Sequence, residues 1–137
     1  MTLIRPSRLL TGALWLDIVG SAPVALAQAL AADRLAPLLN LPQPLLQQTG
    51  WVMVAYVATL LWLVRRPQMP LALLRAIIVG NSLWALVALG LLLSLSPGLA
   101  GQLLLALHLA PGLFAMLQQR GLRQSHPAAA PLRTANA

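Results

Sequence analysis

The stretch LLTGALWLDIVGSAPVALAQALA, residues 9–31, decides how the whole chain is read. It is long enough to cross the roughly 30 Å hydrocarbon core of a bilayer, which takes about 20 helical residues. Its apolar residues run on without period-2 alternation, so the pattern predicts a helix and not a strand. It carries a single ionisable side chain, Asp17. Working outward, three further apolar runs are expected to span, over roughly residues 45–64, 71–95 and 101–119, the last being the shortest. The expected fold is therefore all-α: a polytopic membrane protein built as a four-transmembrane-helix up-down bundle. One domain is expected over residues 1–123, with a disordered cytoplasmic tail over 124–137, where Ala and Pro are frequent and large apolar residues few.

Composition points the same way. Hydrophobic residues make up 59% of the chain and charged residues only 8%, and the mean hydropathy is +0.80. Soluble domains carry about 25% charged residues, so a chain this poor in charge cannot cover a water-facing surface. The formal net charge is +7. That balance raises the question of nucleic acid, but the arginines lie between apolar segments and form no patch, so no nucleic-acid partner is expected. The charge is carried by Arg without Lys, and with abundant Ala and Leu this suggests a GC-rich bacterial gene. There is no Cys, which excludes disulfides, thiol catalysis and Cys-ligated metals.

Orientation follows from arginine. Arg5 and Arg8 precede the first run, Arg65 and Arg66 separate the second from the third, and Arg120, Arg123 and Arg133 follow the fourth. The other two connectors hold only Arg34, beside Asp33. Arginine in short loops stays cytoplasmic, and the basic segments share one side only if there are four spans. Both termini are thus expected on the cytoplasmic side of a bacterial inner membrane. Trp51 and Trp62 stand near opposite ends of the second run, as aromatic belts do, while Trp15 and Trp84 are expected to pack inside. A rival reading takes Arg5, Arg8, the apolar stretch and Ala25-Leu26-Ala27 as a secretory signal with its cleavage site. Asp17 interrupts that stretch and argues against it. A faint internal repeat relates Ile18-Val19-Gly20-Ser21 to Ile78-Val79-Gly80-Asn81, although chance similarity between apolar segments is the better explanation.

The chemistry-bearing residues lie at mid-membrane depth. Asp17 is about eight residues into the first helix, roughly 12 Å deep. An ionised carboxylate there is expensive and must face the bundle, pair or stay protonated. Ala13, Asp17, Ser21, Ala25 and Gln28 follow at helical spacing, a small and polar stripe that lets another helix approach. The corresponding stripes are Thr49, Tyr56 and Thr59 on the second helix, Asn81, Ala85 and Ala88 on the third, and His108, Gly112, Ala115 and Gln119 on the fourth. Pro23 and Pro111 free the carbonyls of Val19 and Leu107, which places both kinks against the bundle centre. The candidate intramembrane polar site is Asp17, Asn81, His108, Tyr56 and Ser21. Arg75 is a possible charge partner of Asp17, roughly 7 Å away in depth, or else it snorkels to the headgroups. Beside these readings stand plainer ones. Asn, Ser and His often only hydrogen-bond between helices, and Trp and Met usually pack. A single His cannot hold a haem by two axial bonds without help, for instance from Met53 or another subunit. No metal-spaced cluster, nucleophile elbow, phosphate loop or HExxH motif is present.

The Leu39-Asn40-Leu41-Pro42 connector, the Arg65-Arg66-Pro67 turn, Asn81 before Trp84, and Gln118-Gln119-Arg120-Gly121-Leu122-Arg123 together resemble a family of small, functionally uncharacterised four-helix bacterial integral membrane proteins. The resemblance covers nearly all of the chain up to Arg123 and implies the architecture, with no activity. Trp15-Leu16-Asp17-Ile18-Val19-Gly20 is more distantly similar to the first helix of small multidrug-resistance transporters, where a glutamate is essential. Asp in place of Glu, the basic turn and the long first connector depart from that pattern. The leading expectation is a non-enzymatic accessory or structural subunit, acting through helix-helix contacts with lipid, copies of itself or other membrane subunits. The alternative is a proton-coupled small-molecule transporter or ligand carrier using Asp17. A third is a haem or quinone carrier, motivated by His108.

Overall fold

The fold is that of a computed structural model, which describes residues 2–95 and 97–128. It is all-α apart from three very short strands. In chain order the elements are β1 (Leu3–Arg5), α1 (Arg8–Leu39), α2 (Gln43–Val64), β2 (Met69–Pro70), α3 (Leu71–Ser94), α4 (Leu99–Leu107), α5 (Ala110–Arg123) and β3 (His126–Pro127). Four helical segments are long and apolar enough to cross a membrane: α1, α2, α3, and α4 with α5 taken together.

The expected first span ends at 31, but α1 continues to Leu39. Ala31 leaves helical geometry (φ −129°, ψ 26°), so two helical stretches meet at a kink there, at the residue where the first span was expected to end. The stop comes at Asn40, whose φ of 51° is left-handed and whose amide donates to the Ala36 carbonyl. Asn tolerates that conformation better than most residues. Pro42 and Pro44 then preset the backbone for the start of α2.

The fourth span is broken, as Pro111 foretells. Pro111 has no amide to give Leu107, and the helix is interrupted at His108 and Leu109. Tighter bonds bridge the break, from His108 N to Leu105 O at 3.1 Å, Leu109 N to Ala106 O at 3.0 Å and Gly112 N to Leu109 O at 2.9 Å. Pro23, by contrast, leaves α1 helical around it.

The strands were not foreseen. β1 pairs antiparallel with β2 on one side and with β3 on the other. Backbone bonds from Leu71 N to Thr2 O and from Ala128 N to Leu3 O, both 3.0 Å, extend the two ladders. The sheet thus ties together the N-terminal segment, the α2–α3 turn and the chain after α5, so the four spans alternate in direction. The tail expected to be disordered from Gln124 is ordered through Ala128, because β1 offers it an edge; 129–137 lie outside the described residues. Ser7 secures the same end. It caps α1 by accepting from Leu10 N (3.1 Å), donates to Gly121 O (2.8 Å), and its own amide donates to Ser125 Oγ (3.0 Å).

Packing runs from α2 to α1, from α1 to α5 and from α5 to α3, while α2 and α3 scarcely touch although a short turn joins them. Two apolar clusters plug the ends. One centres on Leu10, Leu14, Leu60, Leu63, Met69 and Leu74 beside the sheet. The other gathers Ala32, Leu39, Leu41, Leu46 and Leu105 at the opposite end. Glycine allows the tightest crossings. A Cβ at Gly50 would run into the backbone of Ala29 and Gln28, and one at Gly121 would meet Leu10 backbone at 2.5 Å.

Candidate functional site

Between the two apolar plugs the core is polar. Asp17 has no exposed surface and Gln118 none, Gln28 has 1% and Asn81 3%. On the outside, Val19 is 65% exposed, Leu30 69% and Leu93 79%. Polar residues face in and large apolar residues face out, the reverse of a soluble domain.

Asp17 organises the first polar layer. Its Oδ2 accepts from the Tyr56 hydroxyl (2.6 Å), Asn81 Nδ2 (2.9 Å) and Gln118 Nε2 (2.9 Å), and its Oδ1 accepts from Ser21 Oγ (3.0 Å). Asn81 Nδ2 also donates to Gln118 Oε1 at 3.2 Å. Four long helical segments therefore meet at one side chain: α1 through Asp17 and Ser21, α2 through Tyr56, α3 through Asn81, and α5 through Gln118. Every partner is a neutral donor. Charge-assisted bonds are the strong ones, and this arrangement compensates a buried carboxylate without a cation.

A second layer lies eleven residues further along α1, roughly 16 Å away. His108 Nδ1 lies 2.8 Å from the Leu104 carbonyl, which only accepts, so this nitrogen carries a proton. Gln28 Nε2 lies 3.0 Å from His108 Nε2, and Thr49 Oγ1 donates to Gln28 Oε1 at 2.9 Å. With Gln28 Oε1 accepting from Thr49, its amide nitrogen donates to the lone pair of Nε2. The imidazole is then the neutral Nδ1–H tautomer with both nitrogens engaged. Trp84 stacks on it, with ring centroids 6.1 Å apart and an interplanar angle of 26°.

The sequence-derived site thus divides. Asp17, Ser21, Tyr56 and Asn81 come together as expected, whereas His108 belongs to the other layer. Arg75 is exposed and is not among the hydrogen-bonding partners of Asp17. It lies near the start of α3, away from that layer. Gln118 was missed in favour of Gln119, which is exposed. Both fit helical spacing from Ala115. The restart of the helix at Ala110 aligns Pro111, Ala115, Gln118 and Gly121 on the buried face. Gly121, three residues on, was the available signal, because small residues mark close helix crossings. Trp15, expected to pack inside, is 44% exposed; two residues before Asp17 it points to roughly the opposite side of the helix. Trp51 and Trp62 are both exposed, and the Arg66 guanidinium lies 3.9 Å over the Trp62 ring.

The polar layers border three cavities. The largest, about 350 Å³, is a groove between α2 and α3, with Ser21 and Pro111 at its back. Tyr56 and Asn81 line it; Asp17 does not. A second, about 90 Å³, lies beyond Trp84 and is bordered by Gln28, Thr49 and His108. A third, about 140 Å³, is shared by Met53 and His108, and is too small to hold a porphyrin between them. Among the described residues no group of three His, Cys, Asp or Glu could hold a metal ion. Comparison with protein-family models, with curated proteins and with solved structures finds no match to this chain.

Proposed function

We propose that this chain is a four-span integral protein of a bacterial inner membrane, with both termini cytoplasmic, that acts without catalysis as a small accessory subunit. The observation that carries this reading is the inverted surface. The polar groups are spent inward on holding four spans together, while large apolar side chains face outward. Lipid is the solvent such a surface requires. The exposed arginines Arg5, Arg8, Arg65, Arg66, Arg120 and Arg123 gather at the sheet end, which supports placing that end in the cytoplasm. The likeness to small four-span bacterial membrane proteins is part of the same reading.

An accessory role is supported by how fully the Asp17 carboxylate is satisfied from within the bundle. A carboxylate with four donors and no exposed surface is built to hold helices in register. The partner is a second copy or another membrane subunit, met through the apolar faces. Purification in mild detergent followed by reconstitution in nanodiscs tests this. An oligomer or a stoichiometric membrane complex is expected, and a stable, homogeneous monomer in native-lipid nanodiscs would overturn it. A proton-coupled carrier using Asp17 has less support, because Ser21, Tyr56 and Asn81 stand between the carboxylate and the groove they line.

A further inference from the structure

The groove between α2 and α3 contains an oddity. Asn81 is 3% exposed, yet among the described residues its amide oxygen accepts no hydrogen bond. No buried side-chain atom lacks a partner, so this oxygen is not sealed in protein, and Asn81 lines the groove. Its orientation is fixed from behind. The Asp17 carboxylate and the Gln118 carbonyl both demand the amide nitrogen. A flipped Asn81 would set oxygen against two acceptors, so the NH₂ stays inward and the carbonyl is left over.

The same geometry spends the two hydroxyls beside Asn81 on Asp17. The Tyr56 hydroxyl gives its proton to Asp17, and the Ser21 hydroxyl does likewise. Beside Asn81 only acceptors remain, and the indole N–H of Trp84 is the groove wall's own donor. Asn81 lies about ten residues into α3, roughly 15 Å from its start, which is mid-bilayer on the membrane reading above. Lipid chains carry no donor at that depth, and an unmet acceptor in hydrocarbon is costly. Around it the walls are largely apolar and include Met53, Ile77, Tyr56 and Trp84. The volume of about 350 Å³ is that of a small-molecule site.

We propose that this groove binds phenols and hydroquinones, taken up laterally from the bilayer and selected as hydrogen-bond donors by the amide oxygen of Asn81. A planar apolar ring suits the aromatic and thioether walls, and its hydroxyl supplies the missing proton. The oxidised partner, a quinone, has acceptors only and would face Asn81 oxygen to oxygen. The site therefore discriminates by redox form without taking part in redox chemistry. It is distinct from a quinone carrier built on His108, and it rests on the membrane location proposed above but not on the accessory role.

The test is equilibrium retention of a short-chain alkyl hydroquinone, and separately of its quinone, on affinity-captured nanodiscs containing the protein, under anaerobic conditions. Empty nanodiscs give the lipid background. The hydroquinone should be retained about tenfold more tightly than the quinone, the worth of one hydrogen bond against an unpaired acceptor. Asn81→Leu should bring the ratio close to one. Because that variant also removes a donor from Asp17, Gly80→Leu gives an independent check. A Cβ at Gly80 meets nothing within 4 Å, so the larger side chain fills the groove, leaves the Asp17 layer intact and should abolish retention of both ligands. Equal retention of the two forms by the wild-type protein would overturn the proposal. So would retention no greater than that of empty nanodiscs, or a ratio that survives Asn81→Leu. None of these outcomes bears on the oligomeric state that tests the accessory role.

Discussion

Replacing Gly50 by alanine should loosen the α1–α2 crossing, and its size can be worked from the backbone. A Cβ built there would lie 2.7 Å from the Gln28 carbonyl carbon and 2.8 Å from Ala29 Cα, with Ala29 N closer still. Carbon atoms pack at about 3.5–4.0 Å, so the helices must part by roughly 1 Å. Overpacking of this kind costs about 1–3 kcal/mol. The upper end applies, because the obstacle is main chain and no flexible side chain can swing away. Alanine regains up to about 1 kcal/mol of helix propensity over glycine, which leaves a net loss of about 2 kcal/mol. Gly80→Ala is the matched control, since a Cβ there meets open space and the propensity gain stands alone. Unfolding in mixed micelles of rising SDS fraction, followed by tryptophan fluorescence, should separate the two variants by about 3 kcal/mol. The parting should also lengthen the Thr49–Gln28 bond, now 2.9 Å. Equal stability of the two variants would refute the close crossing of α1 and α2 at this glycine.

Asp17→Asn keeps an acceptor for the cluster of donors and lets Ser21 turn to accept; it should cost about 1–2 kcal/mol in the same titration, whereas Asp17→Leu orphans four donors and should cost at least about 3 kcal/mol. Similar values for the two would mean that the layer is not held by these bonds. Ser7→Ala removes the cap on Leu10 N and the bond to Gly121; about 1 kcal/mol is expected, together with faster amide exchange in β1 and β3 and little change in α3. The absence of cysteine makes a topology test clean: in intact cells a membrane-impermeant maleimide should label Gln43→Cys and Gly98→Cys but not Gln68→Cys or Ser125→Cys, and the opposite pattern would invert the assignment of the arginine-rich end.

The four long apolar helices were legible because apolar runs of that length are a property of the sequence itself. Asp17, Ser21, Tyr56 and Asn81 were legible too, since a costly polar group in an apolar run has to face inward. What the sequence concealed depended on local backbone choices. Two glutamines stand side by side, and only the helix restart at Ala110 decides that Gln118 turns inward and Gln119 outward. The continuation of α1 to Leu39 hides behind Pro37, a residue that more often ends a helix. The strands hide because each is two or three residues long, too short for any alternation to register. His108 was rightly placed in the core, but its partners Gln28 and Thr49 lie far away in the chain, and nothing in spacing pairs them.

The three-stranded sheet has a consequence for synthesis. Its central strand, β1, is made before any of the helices, yet one of its two partners, β3, follows the last of them. Until the final helix has emerged, β1 keeps an open edge at Ile4 and Arg5, where His126 and Pro127 will pair. The sheet can close only once β3 has followed the last helix, so a product truncated before Ser125 would display a free strand edge, the kind of surface that binds other chains or quality-control proteases. A tag joined directly to β1 or β3 would sit beside this seam. Its placement would decide whether the molecule under study has been stitched shut.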